Sequence, residues 1–276
     1  MFGLVGIKVF HFSMLFASSI ALAVLGLTMS VQAAPLEGHH PMMHNTATKV
    51  TSPPPVPLVT NAAQLATELI TEPSNVNKLT ALLTKDGNLL TGDALRDLTV
   101  LDFNNQEPAA GADGGSILLG TVSNFPILET VGISGAVSFF EPCGLNIPHL
   151  HPRADEFLIV MEGQLEAGFV MENGFNSVVH TQLGLHQGTV FPQGSIHYQY
   201  NPTCNNATFV AALNSNDPGR SDVVTSFFML DGAVVNAALG FPKTIGGDNI
   251  EQWREFLPVN LAKGVDSCLR ACGLSI

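Results

Sequence analysis

The chain, 276 residues long, reads as an all-β protein: one antiparallel β-barrel flanked by N- and C-terminal helices. Three observations carry that expectation. From Leu98 to Phe228, short β-rich runs alternate with Gly, Asn and Pro, the punctuation that an antiparallel barrel requires. Ahead of them, Asn61 to Ile70 and Ser74 to Leu83 have the apolar spacing of helices, with Asn or Ser at the cap position. Behind them, Asp231 to Leu239 and Asn249 to Phe256 read as helices again. The order expected is therefore a secretory segment over 1–33, a flexible leader over 34–57, a helical extension over 58–97, the barrel over 98–230 and a helical tail over 231–276.

The first segment is assigned from Lys8, an apolar stretch from Leu15 to Leu27 and the small-residue cleavage pattern Val31-Gln32-Ala33. Its apolar core is short for a membrane span and holds Ser18, Ser19 and Gly26. No later stretch approaches about eighteen uninterrupted apolar residues, so no membrane partner is expected once the segment is removed. The leader carries His39, His40, His44 and the Pro53-Pro54-Pro55 run without an apolar period, which predicts flexible chain. The formal net charge is −12 and becomes one unit more negative when Lys8 is lost with the secretory segment. An acidic surface with few aromatics and no basic cluster repels nucleic acid and anionic lipid, which excludes a nucleic-acid function.

The chemistry sits in the run Gly144-Leu-Asn-Ile-Pro-His149-Leu-His151-Pro-Arg-Ala-Asp-Glu156 and in a distant His197. His149 and His151 are two apart, so on an extended strand both rings leave the same face. Glu156 lies an odd number of residues further on, and Pro152 supplies the turn that its placement demands. Glu156 to Met161 then reads as a return strand closed at Gly163. Gly188 to Phe191 and Ser195 to Tyr200 read as a second pair, joined through Pro192-Gln193-Gly194, that brings His197 to the same interior. Three imidazoles and one carboxylate suit a divalent first-row metal in six coordination, with open positions for water or substrate. His180 and His186 match no ligand position and are expected in loops or at the surface, and Glu162 and Glu166 as solvated strand ends. For proton supply the sequence offers Gln199 and Asn201 near His197 but no extra carboxylate, and Asn146 is either a residue that orients a bound anion or a turn residue.

These residues resemble the germin box of the cupin superfamily. Gly144, His149, His151, Glu156 and Gly163 follow its first pattern, one residue short between Gly144 and His149. Pro192, Gly194, His197 and Asn201 follow the second, with Gly188 two residues too close to Pro192. Asn124–Leu128, Gly132–Ser134, Gly168–Val170 and Asn214–Gly219 are similar to segments of germin-like proteins, and Leu101–Asn105 is similar to fungal spherulin-type ones, so the resemblance runs from Asn61 to Pro242. It implies a single cupin barrel of jelly-roll type, homo-oligomers clamped by C-terminal helices, and a secreted protein of the extracellular space or cell wall. It also implies manganese(II) held by His149, His151, Glu156 and His197, with iron(II) or another divalent first-row ion as the alternative.

Two functions follow from the resemblance. One is an oxidoreductase acting on a small anion or oxygen species, by superoxide dismutation or by oxalate oxidation or decarboxylation. The other is a non-catalytic, spherulin-like structural, stress or wall-associated metal-binding protein. Between Asp86 and Pro242 the cationic side chains are Arg96, Arg153 and Arg220, and Arg153 sits in the turn of the box. On that basis a dianion is expected to find little help beyond the metal, and superoxide ranks above oxalate. The four cysteines allow three pairings. Because Cys143 and Cys204 flank the two motifs, the expected bonds are Cys143 to Cys204 and a local Cys268 to Cys272 clip. Asn206-Ala-Thr208 is a glycosylation sequon in a polar loop.

Overall fold

The computed structural model describes residues 53–105, 107–175, 177–241 and 250–275. The secretory segment, the leader as far as residue 52 and the expected helix start at Asn249 lie outside the described residues. Helices α1 (Ala62–Ile70) and α2 (Asn75–Leu83) come first. Ser74 caps α2, its hydroxyl accepting from the Asn77 amide. A small hairpin of β1 (Thr84–Lys85) and β2 (Asn88–Leu89) and helix α3 (Gly92–Thr99) lead to the barrel. The barrel strands are β3 (Gly115–Gly120), β4 (Ser134–Phe140), β5 (Gly144–Leu150), β6 (Glu156–Glu162), β7 (Leu165–Val170), β8 (Val179–Leu183), β9 (Gly188–Phe191), β10 (Ile196–Tyr200), β11 (Ala207–Leu213) and β12 (Ser221–Asp222). Helices α4 (Val223–Phe228), α5 (Gly232–Ala238) and α6 (Ile250–Glu255), strand β13 (Ala262–Lys263) and helix α7 (Asp266–Ala271) complete the chain. Asp231 caps α5 by accepting from the Ala233 and Val234 amides. No described helix is long and apolar enough to cross a membrane.

The strands form two facing antiparallel sheets, ordered β3-β4-β11-β6-β9 and β12-β5-β10-β7-β8, with β13 also paired to β5. This is the all-β cupin jelly roll that the resemblance implies. Alternation in β4 and β11 sends Ala136, Phe140, Phe209 and Ala211 inward, where they join Leu158, Val160, Leu165, Phe191 and Leu261 in one core. Phe140 and Phe209 meet at 5.7 Å between ring centroids. Gly163 makes the tight β6–β7 turn at φ +69, where a Cβ would lie 2.7 Å from the Asn206 carbonyl oxygen. Asn206 itself is exposed.

Four sequence expectations need correction. Glu156–Met161 does not return along β5, and β9 does not pair with β10: in each case the two strands belong to opposite sheets. The Pro152 and Pro192-Gln-Gly194 turns are corners that carry the chain from one sheet to the other, and proline, lacking an N–H, suits the end of a ladder. The barrel also ends early, because Val223–Phe228 is helix rather than strand. The disulfides are Cys143–Cys268 and Cys204–Cys272. The tail returns to the barrel through β13 on β5, which sets Cys268 beside the turn at Cys143 and Cys272 beside Cys204. A bond within α7 would leave both barrel cysteines to each other and the tail untied.

Candidate metal centre

His149 and His197 are directly opposed on the neighbouring strands β5 and β10. His151 follows the end of β5, and Glu156 opens β6 on the facing sheet. Corner and cross-strand register thus bring together groups that the sequence separates. All four are buried, at 1%, 5%, 5% and 1% exposure for His149, His151, Glu156 and His197. One donor atom from each lies within 4.8 Å of the others. His197 is held from behind by Phe191, stacked at 4.4 Å between centroids. All four residues singled out from the sequence therefore meet at one point.

The ring tautomers follow from the backbone. Nδ1 of His149 faces the Ile147 carbonyl at 2.8 Å, that of His197 faces the Ser195 carbonyl at 2.9 Å and that of His151 faces the Gly219 carbonyl at 2.5 Å. A carbonyl oxygen only accepts, so each Nδ1 carries a proton and each ring turns its Nε2, the atom free to bind an ion, elsewhere. For His151 and His197 that atom points at Glu156, whose Oε2 lies 3.0 and 3.4 Å away. Lone pairs and a carboxylate directed at one another repel unless a proton or a cation stands between them. His197 Nε2 is moreover buried without a hydrogen-bond partner. A divalent cation resolves both features at once, so the donor set fits a metal.

Electrostatics favour the ligating forms. Burial, with the charge of Arg220 and then of the other two imidazoles, pushes His149 well below the ordinary histidine range and keeps it neutral. Burial raises Glu156, but the His151 and His197 rings, which attract its charged form when they carry a proton on Nε2 in place of an ion, outweigh it and lower its pKa to about 2. All four cysteines are in disulfides, so no thiolate can join the set. The proximity of Cys143, Cys268 and Cys272 reflects those bonds and is no second metal site.

A cavity of about 100 Å³ adjoins the cluster. It is lined by the apolar Ile117, Leu119, Ala136, Phe209 and Leu213 and by the polar Asn146, His149, His151, Glu156 and Arg220. Arg220 corrects the sequence expectation that an anion finds little help beyond a metal. Sequence reasoning misplaces it because nothing local ties residue 220 to the box. The structural reason is β12, which pairs Asp222 with His149 and so delivers the preceding arginine to the cavity. Arg153 does face outward, paired with Asp217 at 2.8 Å. Of the other candidates, Asn146 lines the cavity and bonds Gln199, whereas Asn201 donates to the Glu141 and Asn205 carbonyls and secures a loop. His180 is half-exposed and faces Glu166 at 3.5 Å, His186 sits in an exposed turn, and Glu162 accepts from Thr208. None of these three joins the cluster.

Facing sheets closed over three imidazoles and a carboxylate define a cupin barrel, and residues 101–244 match the Cupin family. The chain belongs to that family. Within it, the chain is similar to Spherulin-1A of Physarum polycephalum, with 35% identity over 213 residues that cover 77% of this chain and 80% of that protein. It is also similar to Germin-like protein 8-2 of Oryza sativa subsp. japonica, 42% identical over 116 residues, or 42% of this chain and 52% of that one. Among solved structures, oxalate oxidase in complex with the substrate analogue glycolate aligns at 26% identity and a TM-score of 0.48 over 57% of this chain and 82% of its own. Procruciferin, an 11S globulin from Brassica napus, aligns with a TM-score of 0.50 at 16% identity, covering 59% of this chain and 41% of its own, and shares the fold.

Proposed function

We propose that the chain is a secreted, metal-dependent oxidoreductase of germin type, in which His149, His151, Glu156 and His197 hold a manganese(II) ion that meets a small anion. The observation that carries this reading is the unresolved facing of two Nε2 lone pairs and the Glu156 carboxylate in a buried pocket. Three neutral imidazoles and one carboxylate leave a divalent ion with a net charge of plus one, which attracts an anion. Nitrogen and oxygen donors without thiolate suit manganese or iron.

When bound, the ion supplies one-electron redox chemistry and open coordination positions. The protein's own residues do the rest. The Ile147, Ser195 and Gly219 carbonyls fix the three ring orientations and the Nδ1–H tautomer. Ile117, Leu119 and Phe209 make part of the cavity lining apolar, and Phe191 stacks on His197 and holds its ring in place. Its small volume restricts ligands to a few heavy atoms, which fits oxalate-sized acids and superoxide alike.

Two disulfides support an oxidising compartment, and with it secretion. Assembly into homo-oligomers is supported by the outer face of the β3-β4-β11-β6-β9 sheet, where Phe157, Met161, Val190 and Val210 are exposed side by side. A hollow lined by Ile133, Phe157, Val190 and Ala212 lies on that face. Trp253 and Phe256 add exposed rings at the end of α6. Elemental analysis of protein purified from a secreting host, followed by oxalate and superoxide assays on the same sample, tests the reading. Stoichiometric manganese with either activity supports it; manganese without either activity favours a structural role, and no retained divalent metal overturns it.

A further inference from the structure

Arg220 is embedded in a chain of hydrogen bonds whose polarity can be followed atom by atom. Its Nε donates to Asp222 Oδ1 at 2.7 Å, and its Nη2 lies 2.7 Å from the same oxygen. Nη2 also donates to Asn146 Oδ1 at 3.0 Å. A guanidinium has no acceptor, so Asn146 must turn its oxygen to Arg220 and its Nδ2 to Gln199, whose Oε1 accepts at 2.5 Å. Asn146 and Gln199 are 1% and 0% exposed, so the fork is gripped by a rigid, dry support. Nε and Nη2 converge on the single oxygen Oδ1 of Asp222, which restrains the plane of the guanidinium. The two protons on Nη1 have no acceptor among the described residues, although Arg220 lines the cavity beside His149, His151 and Glu156. Arg220 is the one cationic side chain among the residues that line the cavity.

Resting on the metal-site reading above, we propose that Arg220 is a specificity-determining residue of this cavity. Its Nη1 protons take one oxygen of a small carboxylate whose other oxygen meets the ion, so that carboxylates are preferred over anions that can bind the ion alone. Asp222, Asn146 and Gln199 are positioning residues for that guanidinium. The arrangement favours a planar carboxylate because the fork is planar and fixed, and the cavity of about 100 Å³ excludes larger acids.

The test compares manganese-loaded wild type with Arg220→Gln and Arg220→Lys, reading metal content by elemental analysis, fold by circular dichroism, and binding of glycolate and of fluoride by calorimetry and manganese EPR. Fluoride, a single atom, can bind an ion but cannot bridge to the arginine. Arg220→Gln is expected to keep its manganese and to lose about 10- to 100-fold in glycolate affinity, the effect of one lost charge-assisted hydrogen bond, while fluoride binding changes less than about 3-fold. Arg220→Lys keeps the charge without the fork and is expected to fall between the two, which preserves the test if the glutamine variant does not fold. Equal losses for both anions, or no loss for glycolate in either folded variant, overturn the role of Arg220 and leave the metal site standing. Wild type that retains no manganese overturns the metal-site reading itself, and this inference with it.

Discussion

Replacing Glu156 by glutamine separates what the cluster does for the fold from what it does for an ion. Burial raises the carboxyl, but in the metal-free protein a proton on Nε2 of the His151 and His197 rings stands in for the ion, and its attraction brings the Glu156 pKa from 4.5 down to about 2. In the unfolded chain the ordinary value returns. A group whose pKa is lower in the folded state binds its proton less tightly there, so the stability it contributes is complete above about pH 4.5 and disappears as the pH falls to about 2. The difference corresponds to on the order of 3 kcal/mol, undiscounted because Glu156 is only 5% exposed. His149, whose pKa is lowered by burial and by Arg220, adds a loss that begins as the pH falls below 6.5, but both proteins share it and it cancels in the comparison. The assay is urea unfolding of chelator-treated wild type and Glu156→Gln at several values between about pH 5 and pH 2.5. Wild type should lose most of those 3 kcal/mol relative to the variant across that interval. Parallel pH profiles would refute the assignment of Glu156 as the carboxylate paired with both imidazoles.

Three further outcomes follow from the same geometry. Manganese at about 100 times its dissociation constant should stabilise wild type by roughly 2.7 kcal/mol in thermal unfolding, and His151→Ala should show no such gain and retain little metal; equal stabilisation would remove His151 from the site. Replacing Cys204 and Cys272 together by alanine opens a loop with a sequence separation of 68 residues and should cost up to about 4 kcal/mol by chain entropy, read from the urea midpoint. A non-reducing peptide map should meanwhile recover Cys143 joined to Cys268. Finally, if the proposed homo-oligomer forms through the exposed outer sheet face, Phe157→Asp with Val190→Lys should lower the sedimentation coefficient to that of a monomer while far-ultraviolet circular dichroism is unchanged; an unaltered coefficient would refute assembly through that face.

What the sequence makes legible is what local chemistry decides. His149, His151 and Glu156 lie within eight residues of one another and state a ligand set by type and spacing, and His197 can be joined to them because Pro192 and Gly194 mark a turn next to it, although they do not show that the chain crosses between sheets there. The helices α1, α2 and α5 are legible for the same reason: their apolar period and their Ser74 and Asp231 caps are local signals. Sheet assignment is not local. A proline between two β-rich runs marks a break, but whether the second run pairs with the first or crosses to another sheet depends on burial on both faces of the barrel, which only the assembled core decides. The disulfides fail for that reason too: proximity in sequence favours Cys268 with Cys272, whereas the return of β13 along β5 decides the pairing.

The segment from Asn214 to Asp222 shows how much of the centre lies in residues that no motif marks. Asn214 exchanges hydrogen bonds with Asp155, whose own side chain accepts from the Gln193 amide, so both corners of the barrel are tied to one point. Those same bonds lower the pKa of Asp155 and keep it an acceptor at neutral pH. Pro218 accepts from the Arg153 amide, and Gly219, at φ +67, turns its carbonyl to His151 Nδ1. A side chain at residue 219 would lie 2.8 Å from the Pro152 ring, so the close approach that orients His151 demands glycine. One residue later Arg220 reaches the cavity, and two later Asp222 both grips it and pairs with His149. A single short segment therefore fixes one ligand's tautomer, aligns another ligand's strand and supplies the cavity's cationic side chain. Because all three depend on the register of β12 against β5, a one-residue slip there would disable the proposed metal binding and the proposed anion recognition together, although it would leave every candidate ligand in place in the sequence.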